Sequence, residues 1–289
     1  MAADSAGSAL VQLRDTISDL PTIPETLSRI LSLLEDPNSG ARDLAEVIQG
    51  DAPLASKILR LANSPLYQKN RDIKTVQECV AVLGYRTVRQ VALCVSVISS
   101  LGDECDRRKG TLDYRDLWRH CVATGALARE LAKQVSHPEP EAVFTGGLLH
   151  DLGKFVMTLS QPQIYAEVII ARAQNGRHLL EVETEVLGYD HAQAGAFLAE
   201  SWNFPPSLIS CIGEHHSEAP VDDGVALVSL ADYLANMLDP SASDLGFDAM
   251  KADVPQLYSA AGLVRDDVEA QFEELRSSIR AASPLMSLD

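Results

Sequence analysis

The stretch Thr145-Gly146-Gly147-Leu148-Leu149-His150-Asp151-Leu152-Gly153-Lys154 sets an imidazole beside a carboxylate, behind an apolar run and two glycines. Neighbouring residues on an α-helix point about 100° apart, so His150 and Asp151 cannot share one face of a helix. Where a helix ends, adjacent side chains can converge, and Gly153 allows the chain to break just there. A His-Asp pair gripping one metal ion suits that geometry. The same dipeptide is also ordinary helix-end polarity, so the rest of the chain has to supply partners.

It does. Of seven histidines, five stand where helices begin, end or face one another. His120 follows Asp116 by four residues on a long helical stretch, which places both on one side. His191 opens the helix after Gly188-Tyr189-Asp190, and His215 and His216 close another. Asp232 lies in the apolar run Val228-Ser229-Leu230-Ala231-Asp232-Tyr233-Leu234, where desolvation favours a paired or metal-bound carboxylate. His137, beside Pro138, and His178, beside Arg177, read as ordinary structural or surface residues and are set aside. The candidate ligands are therefore Asp116, His120, His150, Asp151, His191, His215, His216 and Asp232. Asp151 and Lys154 are the candidate catalytic residues, the ammonium being placed to neutralise a phosphate oxygen. Imidazole and carboxylate ligands without thiolate suit one or two divalent ions, iron or manganese first, then zinc, nickel or magnesium.

Composition narrows the classes. At 289 residues and 46% hydrophobic side chains the chain can bury a sizeable core, and its net charge of -17 argues against general nucleic-acid binding. Five cysteines form no CxxC motif, which reads as reduced, buried thiols and a cytoplasmic setting. No signal peptide is visible, and the longest nearly apolar run, Val91 to Ile98, is too short to cross a bilayer.

Punctuation by Gly and Pro is spaced for helices, and no stretch alternates with period two, so the expected class is all-α. Helices are expected at Ser8–Asp19, around Leu27–Leu34 and Leu44–Ile48, and after an Asp51 N-cap. Capping boxes at Thr75–Glu78 and Thr87–Gln90 open two more, closed by Gly84 and Gly102. The charged Gly102–Thr111 segment reads as a link between two lobes, 1–104 and 105–289. Helices then follow at Tyr114–Val135, Glu141–Leu149, Pro162–Asn175, Leu179–Leu187, His191–Trp202, Ser207–His216 and Val225–Leu238, and an acidic amphipathic one near Asp266–Ala281. Asn63-Ser64-Pro65 is either helix-end chemistry or a binding element.

With these residues in place, the chain resembles the HDOD family of the HD-domain superfamily from about Leu20 to Leu238. The first half carries Leu20-Pro21-Thr22-Ile23-Pro24, Leu59-Arg60-Leu61-Ala62-Asn63-Ser64 and Leu83-Gly84. The second carries His120, His150-Asp151, Gly188-Tyr189-Asp190-His191, Trp202 to Pro205, His215-His216 and Asp232. The resemblance implies a helical bacterial signalling module, a family in which many members have lost the metal ligands. The ligand order is also similar to that of the HD-GYP phosphodiesterases, with Asp116 matching their carboxylate ahead of the first histidine. No Gly-Tyr-Pro follows His216; the chain reads Ser217-Glu218-Ala219-Pro220-Val221, so the likeness does not reach their cyclic dinucleotide substrate. Two functions stay open: a regulatory module acting through a protein partner, or a metal-dependent phosphohydrolase acting on a nucleotide-like phosphate ester. The oligomeric state is not legible.

Overall fold

The computed structural model describes residues 22–36, 38–67, 72–108, 114–217, 220, 222–238 and 254–286, and every regular element among them is a helix. The helix expected at Ser8–Asp19 lies outside the described residues. The first part of the chain forms α1 (Glu25–Glu35), α2 (Ala41–Gln49), α3 (Ala52–Ala62), α4 (Val76–Leu83) and α5 (Tyr85–Arg108). Asp51 caps α3 by accepting from Leu54 N at 3.0 Å, and its other oxygen accepts from Thr26 Oγ1 at 3.0 Å, which ties the cap to α1. Thr75 caps α4 as expected, but the Glu78 carboxylate reaches one residue further out, to Lys74 N. The Asn63 amide donates to Leu59 O and Ile73 O and accepts from Ile73 N, so it staples the loop after α3.

Two boundaries differ from the sequence reading. The helix after Gly84 starts at Tyr85, so Thr87 is a first-turn residue and not a cap. Gly102 does not end it: α5 runs on to Arg108, and the boundary read near residue 104 falls inside the helix. A mid-helix glycine costs roughly 1 kcal/mol relative to alanine. Burial of Ile98, Leu101 and Cys105 along one stripe outweighs that. Residues 109–113 of the expected link lie outside the described residues.

The second part forms α6 (Tyr114–Gln134), α7 (Pro140–Leu149), α8 (Leu152–Ser160), α9 (Pro162–Asn175), α10 (Leu179–Leu187), α11 (His191–Ser201), α12 (Pro206–Glu214) and α13 (Asp223–Leu238). After it come α14 (Val254–Ala260), α15 (Arg265–Glu269), α16 (Phe272–Ala281) and α17 (Ser283–Met286). The expected helix near Asp266–Ala281 is thus two helices, broken at Ala270-Gln271. Trp118 Nε1 donates to Leu285 O at 2.7 Å, which returns the chain's end to α6. The two parts are not separate bodies. A continuous apolar cluster runs from Leu27 and Ile30 through Leu101 and Cys105 to Phe144, Phe155 and Leu285. Across the same boundary, Glu141 accepts from Tyr67 Oη at 2.9 Å, and within the second part it also accepts from Arg129 Nε at 2.7 Å.

Glycines set the closest helix approaches. A Cβ on Gly147 of α7 would lie 2.8 Å from Gly125 Cα of α6. The turn between α7 and α8 falls at His150-Asp151, so Gly153 is the second residue of α8 and not a chain break. Its role is contact: a Cβ there would lie 1.8 Å from His191 O and 2.8 Å from Gly195 N on α11. Gly153→Ala should therefore cost on the order of 3 kcal/mol in urea unfolding, or prevent folding; a neutral substitution would mean that α8 and α11 do not touch as described. Cleavage of the chain near Arg107-Arg108 should leave two fragments that co-elute on gel filtration, because Leu101 and Cys105 are buried against the second part. Separation into independent soluble halves would contradict this.

Candidate metal centre

Four helices and two helix-joining turns converge around one carboxylate. Asp151, between α7 and α8, is 0% exposed. Its Oδ2 lies 3.4 Å from His150 Nε2, 3.8 Å from His120 Nε2 and 2.8 Å from Lys154 Nζ. Its Oδ1 lies 3.4 Å from His191 Nε2 and 3.7 Å from His215 Nε2. Asp232 of α13 faces the first side: its Oδ1 is 3.0 Å from His120 Nε2 and 3.7 Å from His150 Nε2, and Asn236 Nδ2 donates to the same oxygen at 3.0 Å. His216 faces the second side, 3.0 Å from His191 between Nε2 atoms.

Two sets of ligand atoms result, each gathered within 4.8 Å: His120, His150 and Asp232 on one side of Asp151, and His191, His215 and His216 on the other. Cys121 joins His150 and Asp151 in a third such group, a thiol that the sequence reading treated only as a buried one. All five cysteines are buried thiols outside any disulfide.

The rings are aimed by their far sides. His150 Nδ1 faces Gly147 O at 2.8 Å and His215 Nδ1 faces Ile212 O at 2.9 Å, both within the last turn of their own helix. Each Nε2 then points into the cluster. Buried polar atoms normally find partners, yet His150 Nε2, His215 Nε2 and Asp151 Oδ1 have no hydrogen-bond partner in the protein. Lone pairs aimed together in a buried space fit a divalent cation of the imidazole-carboxylate class.

Electrostatics follow the same division. Burial alone would raise the Asp151 carboxyl, but His150, Lys154, His191 and His120 hold it well below the usual carboxylate range. Asp232 is likewise held well below it, against burial, by the neighbouring His120 and His150 imidazoles. Burial would lower His150 and His191, yet nearby carboxylates leave both raised. His215 is pushed well down by burial and by His216 and His150. Lys154 is raised by Asp151 and Asp232 in spite of burial, so its ammonium stays charged.

Of the expected ligands, Asp151 stands between the two sets and only Asp116 is brought into none of the groups. It is about a third exposed and pairs with Arg119 at 2.6 Å; its first-turn position and that guanidinium account for the charge. Glu183 was missed. It is 0% exposed on α10, accepts from both His191 N and His191 Nδ1, and accepts from Tyr165 Oη. Its sequence context, Leu179-Leu180-Glu181-Val182-Glu183-Thr184-Glu185, offers three similar acidic residues and no mark of which one is buried.

The HDOD domain model matches residues 20–218. The chain belongs to the HDOD family. Solved structures agree on the fold of this HDOD chain. A Geobacter sulfurreducens HDOD domain protein of unknown function matches with a TM-score of 0.77 at 23% identity, over 96% of this chain and 98% of the other. A Shewanella amazonensis protein named "Putative phosphohydrolase" matches with a TM-score of 0.74 at 25% identity, over 95% and 98%. A Marinobacter aquaeolei protein named "Putative signal transduction protein" gives 0.76 at 26% identity, over 98% and 66%. An uncharacterized Treponema pallidum protein is 29% identical over 206 residues, 71% of this HDOD chain, which spans 39% of that relative's length. Among the described residues no helix is long and apolar enough to cross a membrane.

His216 gives a pH test. Burial and His191 push its imidazole down to about 3, whereas an unfolded chain's histidine takes a proton near 6.5. Between those values the unfolded state binds more protons, so this group's contribution to stability falls as pH falls. His150 and His191, being raised, act oppositely: their contribution is full below about 6.5 and is lost as pH rises through the raised values. In chelator-treated protein, His216→Asn should flatten the loss of stability from about pH 6.5 to about pH 4, as read by urea unfolding. An unchanged slope would refute the assignment.

Proposed function

We propose that this HDOD protein is a metal-dependent phosphohydrolase whose centre holds two divalent ions and cleaves a nucleotide-like phosphate ester. The observation that carries the reading is Asp151, whose two buried oxygens face two separate imidazole sets. The residues that would hold the ions are His120, His150 and Asp232 on one side, His191, His215 and His216 on the other, and Asp151 between them. Iron or manganese heads the candidates, since the sets mix imidazole with carboxylate. Such ions polarise a phosphate ester and bring the pKa of a bound water toward about 7.

The chain's own residues do the rest. Lys154 and His216 are the least buried members, which makes their edge the approach for a substrate. The Lys154 ammonium, fixed by Asp151, neutralises an oxygen of the incoming phosphate. Asn236 holds Asp232 in place through two hydrogen bonds, to Oδ1 and to the backbone carbonyl. The apolar helices around the centre exclude bulk water, which strengthens each of these interactions.

A regulatory reading is supported by a different observation. The first part of the chain contributes α5 to the shared core but no member of either ligand set, and is free to present its outer faces to a signalling-protein partner. Activity separates the two. Metal-loaded protein should hydrolyse bis-(p-nitrophenyl) phosphate, Asp151→Asn should abolish turnover and lower metal content, and Lys154→Ala should lower turnover at least tenfold with metal content nearly unchanged. Less than a tenth of an equivalent of bound iron, manganese or zinc would end the metal reading. Full metal content with no turnover on any phosphate ester would leave the regulatory one.

A further inference from the structure

The two ligand sets are not alike in charge. The set on α6, α7 and α13 includes its own carboxylate, Asp232, whereas the set of His191, His215 and His216 consists of three imidazoles with no carboxylate of its own and shares only Asp151. A cation in the second set would meet less negative charge. Behind it, however, stands Glu183. Of the three ring nitrogens whose far side is held by an acceptor, those of His150 and His215 face backbone carbonyls, and that of His191 faces a carboxylate, Glu183 Oε2, at 2.7 Å. The same oxygen accepts from His191 N at 2.9 Å, and Oε1 accepts from Tyr165 Oη at 3.0 Å. Glu183 and His191 are both 0% exposed, and Tyr165 is 1% exposed. Burying a carboxylate is costly unless it serves as acceptor to several donors, and three donors converge here.

We propose that Glu183 is the positioning residue of a histidine-rich ion site made by His191, His215 and His216. This rests on the metal reading above and assigns the second site its own control. A carboxylate behind a ligating imidazole fixes the tautomer with the proton on Nδ1, orients Nε2 toward the ion and increases the ring's basicity. Tyr165 fixes the carboxylate in turn, so the chain Tyr165–Glu183–His191 runs from α9 through α10 to the first residue of α11. The negative charge missing from the three-imidazole set is thereby supplied through the ring rather than by direct ligation. The occupant is a divalent transition ion that accepts three imidazoles, such as iron or zinc, and not calcium or magnesium.

Glu183→Gln is the decisive variant because it can keep all three contacts. The amide oxygen accepts from His191, the amide nitrogen donates to Tyr165 Oη, and only the charge is removed. Tyr165→Phe is the second variant, removing the hydroxyl that fixes the carboxylate. Each protein is loaded with zinc or iron, and bound metal is measured by elemental analysis and by competition with a chelator; thermal stability is measured on the metal-free forms. Wild type should hold two equivalents. Glu183→Gln should keep one with unchanged affinity and bind the other roughly 10–100-fold more weakly, its metal-free thermal midpoint staying close to wild type. Tyr165→Phe should act in the same direction to a smaller extent. Two equivalents at wild-type affinity in Glu183→Gln would overturn the proposal while leaving the metal centre standing. Equal weakening of both ions with a lowered metal-free midpoint would also overturn it, showing a purely structural carboxylate. Absence of metal from wild type would overturn the centre itself, and this site with it.

Discussion

A carboxylate buried to 0% exposure is the constraint on which this molecule turns. Asp151 cannot be hydrated, so positive or hydrogen-bonding partners have to come from the protein. They come from every direction: His120 from α6, His150 from the end of α7, Lys154 from α8, His191 from the start of α11 and His215 from the end of α12. No single helix could provide such a shell, because adjacent helical residues diverge. The bundle is the device that gathers helix termini around one point, and helix termini are where side chains of neighbouring residues can be turned inward.

Close packing makes that gathering possible. Gly147 against Gly125, and Gly153 against His191 and Gly195, remove the side chains that would otherwise keep α7 from α6 and α8 from α11. The glycines flanking the His-Asp pair thus act through distance between helices. The tolerance is small, since interiors are packed to near-crystalline density and a single added methyl has nowhere to go. The first part of the chain joins the same core through α5, so the centre is braced from outside by helices that contribute no ligand to it.

The buried histidines also impose a division of roles. Where the far nitrogen meets a backbone carbonyl within the same turn, as in His150 and His215, local helix geometry aims the ring. Where it meets Glu183, as in His191, a residue of another helix does the aiming. These are different dependencies: the first is fixed once a helix end forms, the second only when α10 and α11 dock.

The sequence by itself determined the all-α class and most helix boundaries, and it picked out seven candidate residues that the structure gathers around one point, because Gly, Pro and capping residues act locally and His-Asp clustering at helix ends is a local pattern. It also determined the burial of the cysteines. Gly102 misled because a glycine's local cost was outweighed by apolar burial of Leu101 and Cys105, which depends on distant helices. Asp116 misled for a related reason: spacing of four residues places it near His120 on a helix, but only the packed structure decides that it faces Arg119 and partial solvent. Glu183 could not be picked from three similar glutamate positions, since burial is a property of docking. The grouping of the candidate ligands into two sets around the two oxygens of Asp151 was likewise decided only by tertiary structure, because it depends on how five helices cross and not on any spacing along the chain.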